Sequence, residues 1–154
     1  MTMETGPKPA PIMIEIAPGE LLDKISILEI KLLRLSDPGK LSNVRVELAM
    51  LERARDASLT ATPTLEALCG RLRKINEALW EVEDAIREQE RAGHFGPRFI
   101  ELARSVYRNN DERAAIKREI NLLLGSAIVE EKSYADYGSG DQPPSAADKT
   151  PKTP

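Results

Sequence analysis

The stretch PRFIELARSVYRNNDERAAIKREINLLL, residues 97–124, is the most informative part of this chain because it reads as one long helix with a mixed buried face. Apolar residues recur at helical spacing near its two ends: Phe99, Leu102, Ala103, Val106, Ile120 and Leu124. Polar residues occupy the same face between them: Asn110, Arg113, Lys117 and, at its edge, Asn121. Burying amides and cations is costly unless each is paired, so this helix requires partners from another helix or from a bound ligand.

Three more helices are predicted upstream, and each begins at a proline. The first runs from Pro18 to about Leu35, the second from Pro38 to about Ala57, and the third from Pro63 to Ala92. Leucine and isoleucine recur at alternating spacings of four and three residues, as in coiled coils. The short connections predict an all-α fold, a bundle of four antiparallel helices in two hairpins.

The first helix carries apolar residues on two faces. One stripe contains Leu21, Ile25 and Leu28, whereas Ile27 and Ile30 point the other way. Such a helix is either central in the bundle or part of a subunit interface. We therefore predict a homodimer formed through the first helix.

The segments outside the helices define the domain boundaries. Ile12, Ile14 and Ile16 alternate with other residues as in a half-buried strand, which predicts a short extended N-terminal arm. Since a single strand is not stable alone, the arm either lies on the helices or pairs with its copy in a dimer, and the sequence leaves both open. After the last helix, a short segment is expected to pack back through Ile128 and Val129. Polar composition predicts disorder for residues 1–11 and for the C-terminal tail, residues 135–154, which leaves a helical domain of residues 12–134.

Composition argues against several classes of function. A net charge of −3 argues against a nucleic-acid or membrane surface as the main partner. With a single cysteine and a single histidine, the chain offers no ordinary metal site or catalytic pair, and we predict no cofactor, no metal and no catalytic residue. The first residues do not resemble a secretion signal, so a cytoplasmic location is expected.

Eight residues form the candidate polar site. They are the polar side chains expected in or beside the bundle interior: Glu29, Asn76, Glu83, Tyr107, Asn110, Arg113, Lys117 and Asn121. Two interpretations stay open, a buried ionic network that sets helix register and a pocket for a small anionic ligand. In the network interpretation, Arg113 pairs with Glu29 or Glu83.

Two carboxylate pairs offer a weaker alternative. Glu20 with Asp23, and Glu81 with Asp84, each place two carboxylates on one helical face, a spacing that some helical hydrolases use to hold magnesium. The spacing is common in charged helices, and a solvated face is the simpler interpretation.

Four blocks together resemble a known family: GELLDKISILEIK, LWEVEDAIR, FIELARSVYRNNDERAAIKREIN and GSAIVEEKSY. The chain is similar over residues 14–134 to the short bacterial proteins of the domain-of-unknown-function family DUF6165. That resemblance implies a helical bacterial protein and carries no reaction, ligand or partner with it.

The functional expectation is accordingly a choice between two classes. The first is a non-catalytic oligomerising or protein-interaction module with a buried polar network, a reading in which the chain is not an enzyme. The second is a small enzyme or binding protein that holds a phosphorylated or carboxylated metabolite between Arg113 and Lys117. A fully paired interior favours the module, and an open cavity at Arg113 favours the ligand-binding protein.

Overall fold

The computed structural model describes residues 6–133, which form four α-helices. These are α1 (Pro18–Arg34), α2 (Pro38–Ser58), α3 (Pro63–Ala92) and α4 (Pro97–Leu123). The prediction of an all-α fold is confirmed, and each helix end lies within one residue of its predicted position. The predicted tail, residues 135–154, and the first five residues lie outside the described range.

Local chemistry explains where the helices begin and end. Each helix has proline in its first turn, where the absent N–H would have had no helical partner. The Asp37 carboxylate accepts a hydrogen bond from the Lys40 amide at 2.8 Å, and the Thr62 hydroxyl accepts one from the Leu65 amide at 3.2 Å. Gly93 ends α3 in the left-handed conformation, with a φ of 68°.

Helix α1 is central among the described elements. It packs against each of the other three helices, α3 and α4 pack against each other, and the helix contacts of α2 are made with α1. Residues pair in opposite order along α1 and α4, Gly19 with Asn121 and Asp23 with Arg113. This order is compatible with the predicted antiparallel hairpins. No helix within residues 6–133 is long and apolar enough to cross a membrane.

Two faces of α1 supply two separate apolar cores. The first core joins α1 to α3 and α4 and contains Leu22, Leu65, Leu68, Leu72, Ile75, Ile116 and Ile120. The second joins α1 to α2 and contains Leu21, Ile25, Leu28, Val44 and Leu48. The interpretation of α1 as a helix covered on more than one side is confirmed. Its apolar stripes are satisfied within one chain.

The burial of Ile30 changes the argument for a dimer. Ile30 is only 2% exposed and Ile27 is half-buried. The expectation that Ile30 needs cover from a second copy is therefore wrong, because the α1 face that carries it already packs inside the chain. A homodimer through the first helix stays a prediction, and Leu33 on this helix is 76% exposed.

The α3–α4 pair extends beyond the end of α1. Helix α1 has 17 residues, whereas α3 has 30 and α4 has 27. An ion pair between Arg34 and Glu81 lies where α1 ends. The apolar stripe of α3 is therefore fully buried only as far as Leu79. Beyond that residue, Val82 and Ile86 are half-buried. Helix α4 continues through residues 109–110 without a break.

The chain on either side of the helices differs from the prediction. Residues 6–17 have no regular secondary structure, and the arm side chains Ile12 and Ile14 are 90% and 75% exposed. Within residues 6–133 the expected strand therefore has neither a partner strand nor a covering surface. After α4, Ile128 is largely exposed, and Glu130 and Glu131 bind Lys117 and Arg118. Val129 is half-buried, so this segment contacts the helices through ion pairs as well as through one of its two predicted apolar residues.

Candidate functional site: a buried ionic network at the α1–α3–α4 junction

Helix α1 approaches α4 closely at Gly19. The Gly19 amide donates a hydrogen bond of 2.8 Å to the side-chain oxygen of Asn121, which is itself buried. A Cβ atom at residue 19 would lie 2.6 Å from the backbone oxygen of Lys117 and 2.8 Å from the same Asn121 oxygen. Only glycine fits this crossing without a shift of one helix.

Asp23 is the centre of the network that follows along α1. Its side chain is almost fully buried, and its two oxygens face different helices. One oxygen accepts a hydrogen bond of 2.9 Å from the Asn76 amide on α3. The other lies 3.5 Å from Arg113 Nε and 3.9 Å from Lys117 Nζ, both on α4. A single carboxylate therefore joins three helices.

Lys117 continues the network toward the C-terminal segment. Its ammonium group lies 2.6 Å from a Glu20 oxygen and 3.2 Å from a Glu130 oxygen. Burial by itself favours the neutral amine, but the hydrogen bonds and charges of its carboxylate partners outweigh burial and raise the pKa of Lys117. The hydrogen bond from Lys117 lowers the pKa of Glu20, against a smaller opposing effect of burial. Both groups are charged at neutral pH.

The network is internally satisfied. Within residues 6–133, no buried side-chain nitrogen or oxygen lacks a hydrogen-bond partner. The Asn76 amide also lies 3.3 Å from the Ser26 hydroxyl, which adds a second contact between α1 and α3. Complete pairing is what a low-dielectric interior demands, and a one-residue slip of any helix would break several of these bonds together. The arrangement therefore specifies helix register.

The structure brings together half of the eight predicted site residues. Asn76, Arg113, Lys117 and Asn121 belong to the network. Asn110 lines a cavity of about 50 Å³ beside Arg113 and Lys117. Tyr107 on α4 is 39% exposed and is not part of the buried interior.

The two predicted interior carboxylates lie elsewhere. Glu29 pairs with Arg73 at 2.9 Å, away from the network, and Glu83 pairs with Arg87 on the exposed side of α3. Neither contacts Arg113, whose partner is Asp23. The prediction of a solvated face for Glu20 and Asp23 is also wrong for Asp23, because that face of α1 lies against α3 and α4.

A second concave region lies beside the network, where α2 and α3 do not pack on each other, and Ser26 lines both. This groove, which we call the α1–α2–α3 groove, has a volume of about 390 Å³. Its apolar floor and walls contain Leu22, Ile25, Leu59, Leu65 and Cys69. Charged side chains line its rim: Glu29, Arg55, Asp56, Glu66 and Arg73. Burial raises the pKa of the Cys69 thiol, so this wall residue is neutral.

Comparison with models of known protein families shows to which family the chain belongs. The model of the family of unknown function DUF6165 matches residues 12–148. The chain belongs to this family. The match begins at Ile12, so the extended arm is part of the sequence that the family model describes. Neither a curated protein nor a solved structure matched this DUF6165 chain.

Some residues of the DUF6165 network were missed by sequence reasoning, yet a signal for them exists. Gly19, Asp23, Ser26 and Ile30 follow the same four-three-four spacing as the apolar stripe beside them. All four are buried. A glycine and a serine in register with a buried isoleucine indicate a close helix crossing, and an aspartate between them then lies in the interior.

The Glu20–Lys117 pair predicts a pH dependence of stability. Because the folded-state pKa of Glu20 lies below its ordinary value of 4.5, its contribution is complete above that pH and is lost as pH falls through the folded value. The difference in free energy of unfolding between the parent and Glu20→Gln should shrink as pH is lowered from 6 to about 3. Urea unfolding at several pH values measures it. A difference that stays constant over this range would contradict the pairing.

Proposed function

We propose that this DUF6165 chain is a non-catalytic, self-associating helical module. The observation that best supports this proposal is the exposure of the N-terminal arm, in which the side chains of Ile12, Met13 and Ile14 are 90%, 87% and 75% exposed. Consecutive exposed apolar residues of this size are uncommon on a monomer and are typical of interaction surfaces. The arm lies inside the family match, so it belongs to the shared domain.

The polar interior supports the same proposal. Lys117 is bound by Glu20 and Glu130, and Asp23 by Asn76 and Arg113. Fully paired groups of this kind are common in structural ion-pair networks, which favours the non-catalytic interpretation. In this proposal the network keeps α1, α3 and α4 in one register, and the exposed arm makes the contact with a partner.

Self-association is tested by replacing the arm residues. Sedimentation velocity of the parent should show a dimer, and Ile12→Ser combined with Ile14→Ser should shift it toward monomer because the apolar contact surface is removed. The matched control is Val46→Ser with Met50→Ser on α2, where both side chains are also exposed. This control should remain dimeric. A parent that is monomeric at all accessible concentrations would overturn the proposed function.

One observation favours a different function, the binding of an anionic metabolite. The 50 Å³ cavity is lined by three cationic side chains, Arg113, Lys117 and Lys132, with Glu130 as its carboxylate. It has room for about one or two water molecules, so a metabolite would have to displace Glu130. A phosphorylated or carboxylated compound that raises the melting temperature of the parent but not of Lys117→Met would favour this alternative.

A further inference from the structure

The α1–α2–α3 groove is an unfilled part of the bundle. In a closed four-helix bundle α2 and α3 would cover this face of α1, but here the helix contacts of α2 are made with α1. The result is a groove of about 390 Å³, in the size range of sites that bind small molecules or short peptide segments. Leu22, Ile25 and Leu65 are buried beneath this groove, whereas Leu59 and Cys69 are only partly buried. The volume corresponds to roughly a dozen water molecules.

The same chain carries a segment that suits such a groove. Residues 11–16, PIMIEI, have no regular secondary structure, and in an extended backbone Ile12, Ile14 and Ile16 would share one side. Pro7, Pro9 and Pro11 restrict the chain up to the start of this segment, because proline fixes its own φ and disfavours the helical region for the residue before it. Part of the conformational entropy of the chain that leads into the arm is therefore already lost before docking.

The geometry of α1 favours the groove of a second copy over the groove of the same chain. Ala17 is buried, and the bond from Gly19 to Asn121 holds the start of α1 against α4. The groove opens on the α2 side of α1, and within one chain Ile12 and Ile14 remain exposed. None of the described arm residues lines the groove of the same chain.

We propose that the arm of one copy, Pro11–Ile16, docks in the α1–α2–α3 groove of a second copy, and that the exchange is reciprocal. Ile12 and Ile14 lie against the partly exposed apolar lining at Leu59 and Cys69. Reciprocal docking gives a closed dimer with two equivalent contacts, in which neither arm is left exposed. This inference rests on the proposed self-association and names its surface and partner.

Cys69 provides a direct test because it is the single cysteine and lines the groove. The variant Ile14→Cys is incubated with oxidised glutathione and analysed on a non-reducing gel. The expected product is a disulfide-linked dimer that disappears when Cys69→Ser is added to the same variant. The control is Leu33→Cys, since Leu33 is 76% exposed, as Ile14 is, but lies outside the groove. It should form at least about tenfold less of the dimer linked through Cys69.

The outcomes separate this inference from the proposed function. A linked dimer that survives Cys69→Ser joins arm to arm and overturns groove docking. An internal disulfide that migrates as monomer places the arm in its own groove and overturns the exchange between copies. Sedimentation could show a dimer while Ile14→Cys gives no more disulfide-linked dimer than the Leu33→Cys control. In that case the proposed docking site is wrong, but self-association is upheld. A monomeric parent overturns both.

Discussion

Replacing Asp23 by alanine should lower the free energy of unfolding by about 3 kcal/mol, the lower end of the loss seen when a buried ion pair is broken. Asp23 is 2% exposed and contacts Asn76, Arg113 and Lys117. Without the Asp23 carboxylate, the Asn76 amide keeps only its hydrogen bond to Ser26. Arg113 loses the carboxylate with which it forms an ion pair. We expect a loss at the lower end of that range because Lys117 keeps its ion pairs with Glu20 and Glu130.

The matched control for Asp23→Ala is Glu83→Ala. Glu83 also pairs with an arginine, Arg87, but that pair lies on the exposed side of α3. Exposed pairs of this kind contribute about 0.5 kcal/mol or less. Urea unfolding of both variants at neutral pH measures the contrast. Equal small losses would mean that the carboxylate of Asp23 is solvated and that the network does not set register.

A second large effect is expected for Gly19→Ala, again a loss of about 3 kcal/mol. The new Cβ would lie 2.6 Å from the Lys117 backbone oxygen, and a backbone atom inside a helix cannot rotate away. Overpacking of this kind costs about 1 to 3 kcal/mol, and a displaced α1 also loses the bond from Gly19 to Asn121, worth about 1 kcal/mol.

The same substitution at Gly70 should have the opposite sign. Gly70 lies within α3, and a Cβ there meets nothing within 4 Å. Alanine is the better helix former and restricts the unfolded chain, so Gly70→Ala should stabilise the protein by about 0.5 to 1 kcal/mol. Thermal melts of the two variants side by side check the signs. A neutral Gly19→Ala would show that α1 and α4 are not held at this crossing.

Together these predictions separate the structural part of the chain from the part proposed to meet a partner. Asp23 and Gly19 hold α1 against α3 and α4, so their variants should lose stability. Ile12 and Ile14 make no contact that buries them within the chain, so their variants should lose association and little stability. A loss of association through Ile12→Ser and Ile14→Ser with an unchanged melting temperature of the monomer would show this division directly.

The helices themselves could be predicted because their signals are local. Proline in the first turn, the Asp37 cap and Gly93 each act through neighbouring backbone atoms, and the structure confirms all three. The register of α3 against α4 was also accessible, since counting from the turn at residues 93–96 places Asn76 level with Arg113. Both side chains indeed contact Asp23.

What the sequence by itself determined is thus the all-α class, the helix limits and the polar face of α4. Only the tertiary structure decided which carboxylate neutralises that face. Glu29 and Asp23 both lie on α1, less than two turns apart, and each is in register with apolar neighbours. Which one is buried depends on which helix covers each side of α1. That is a non-local choice, made by the close approach of α4 at Gly19 and by the two cores on either side of α1, and no pattern within α1 alone contains it.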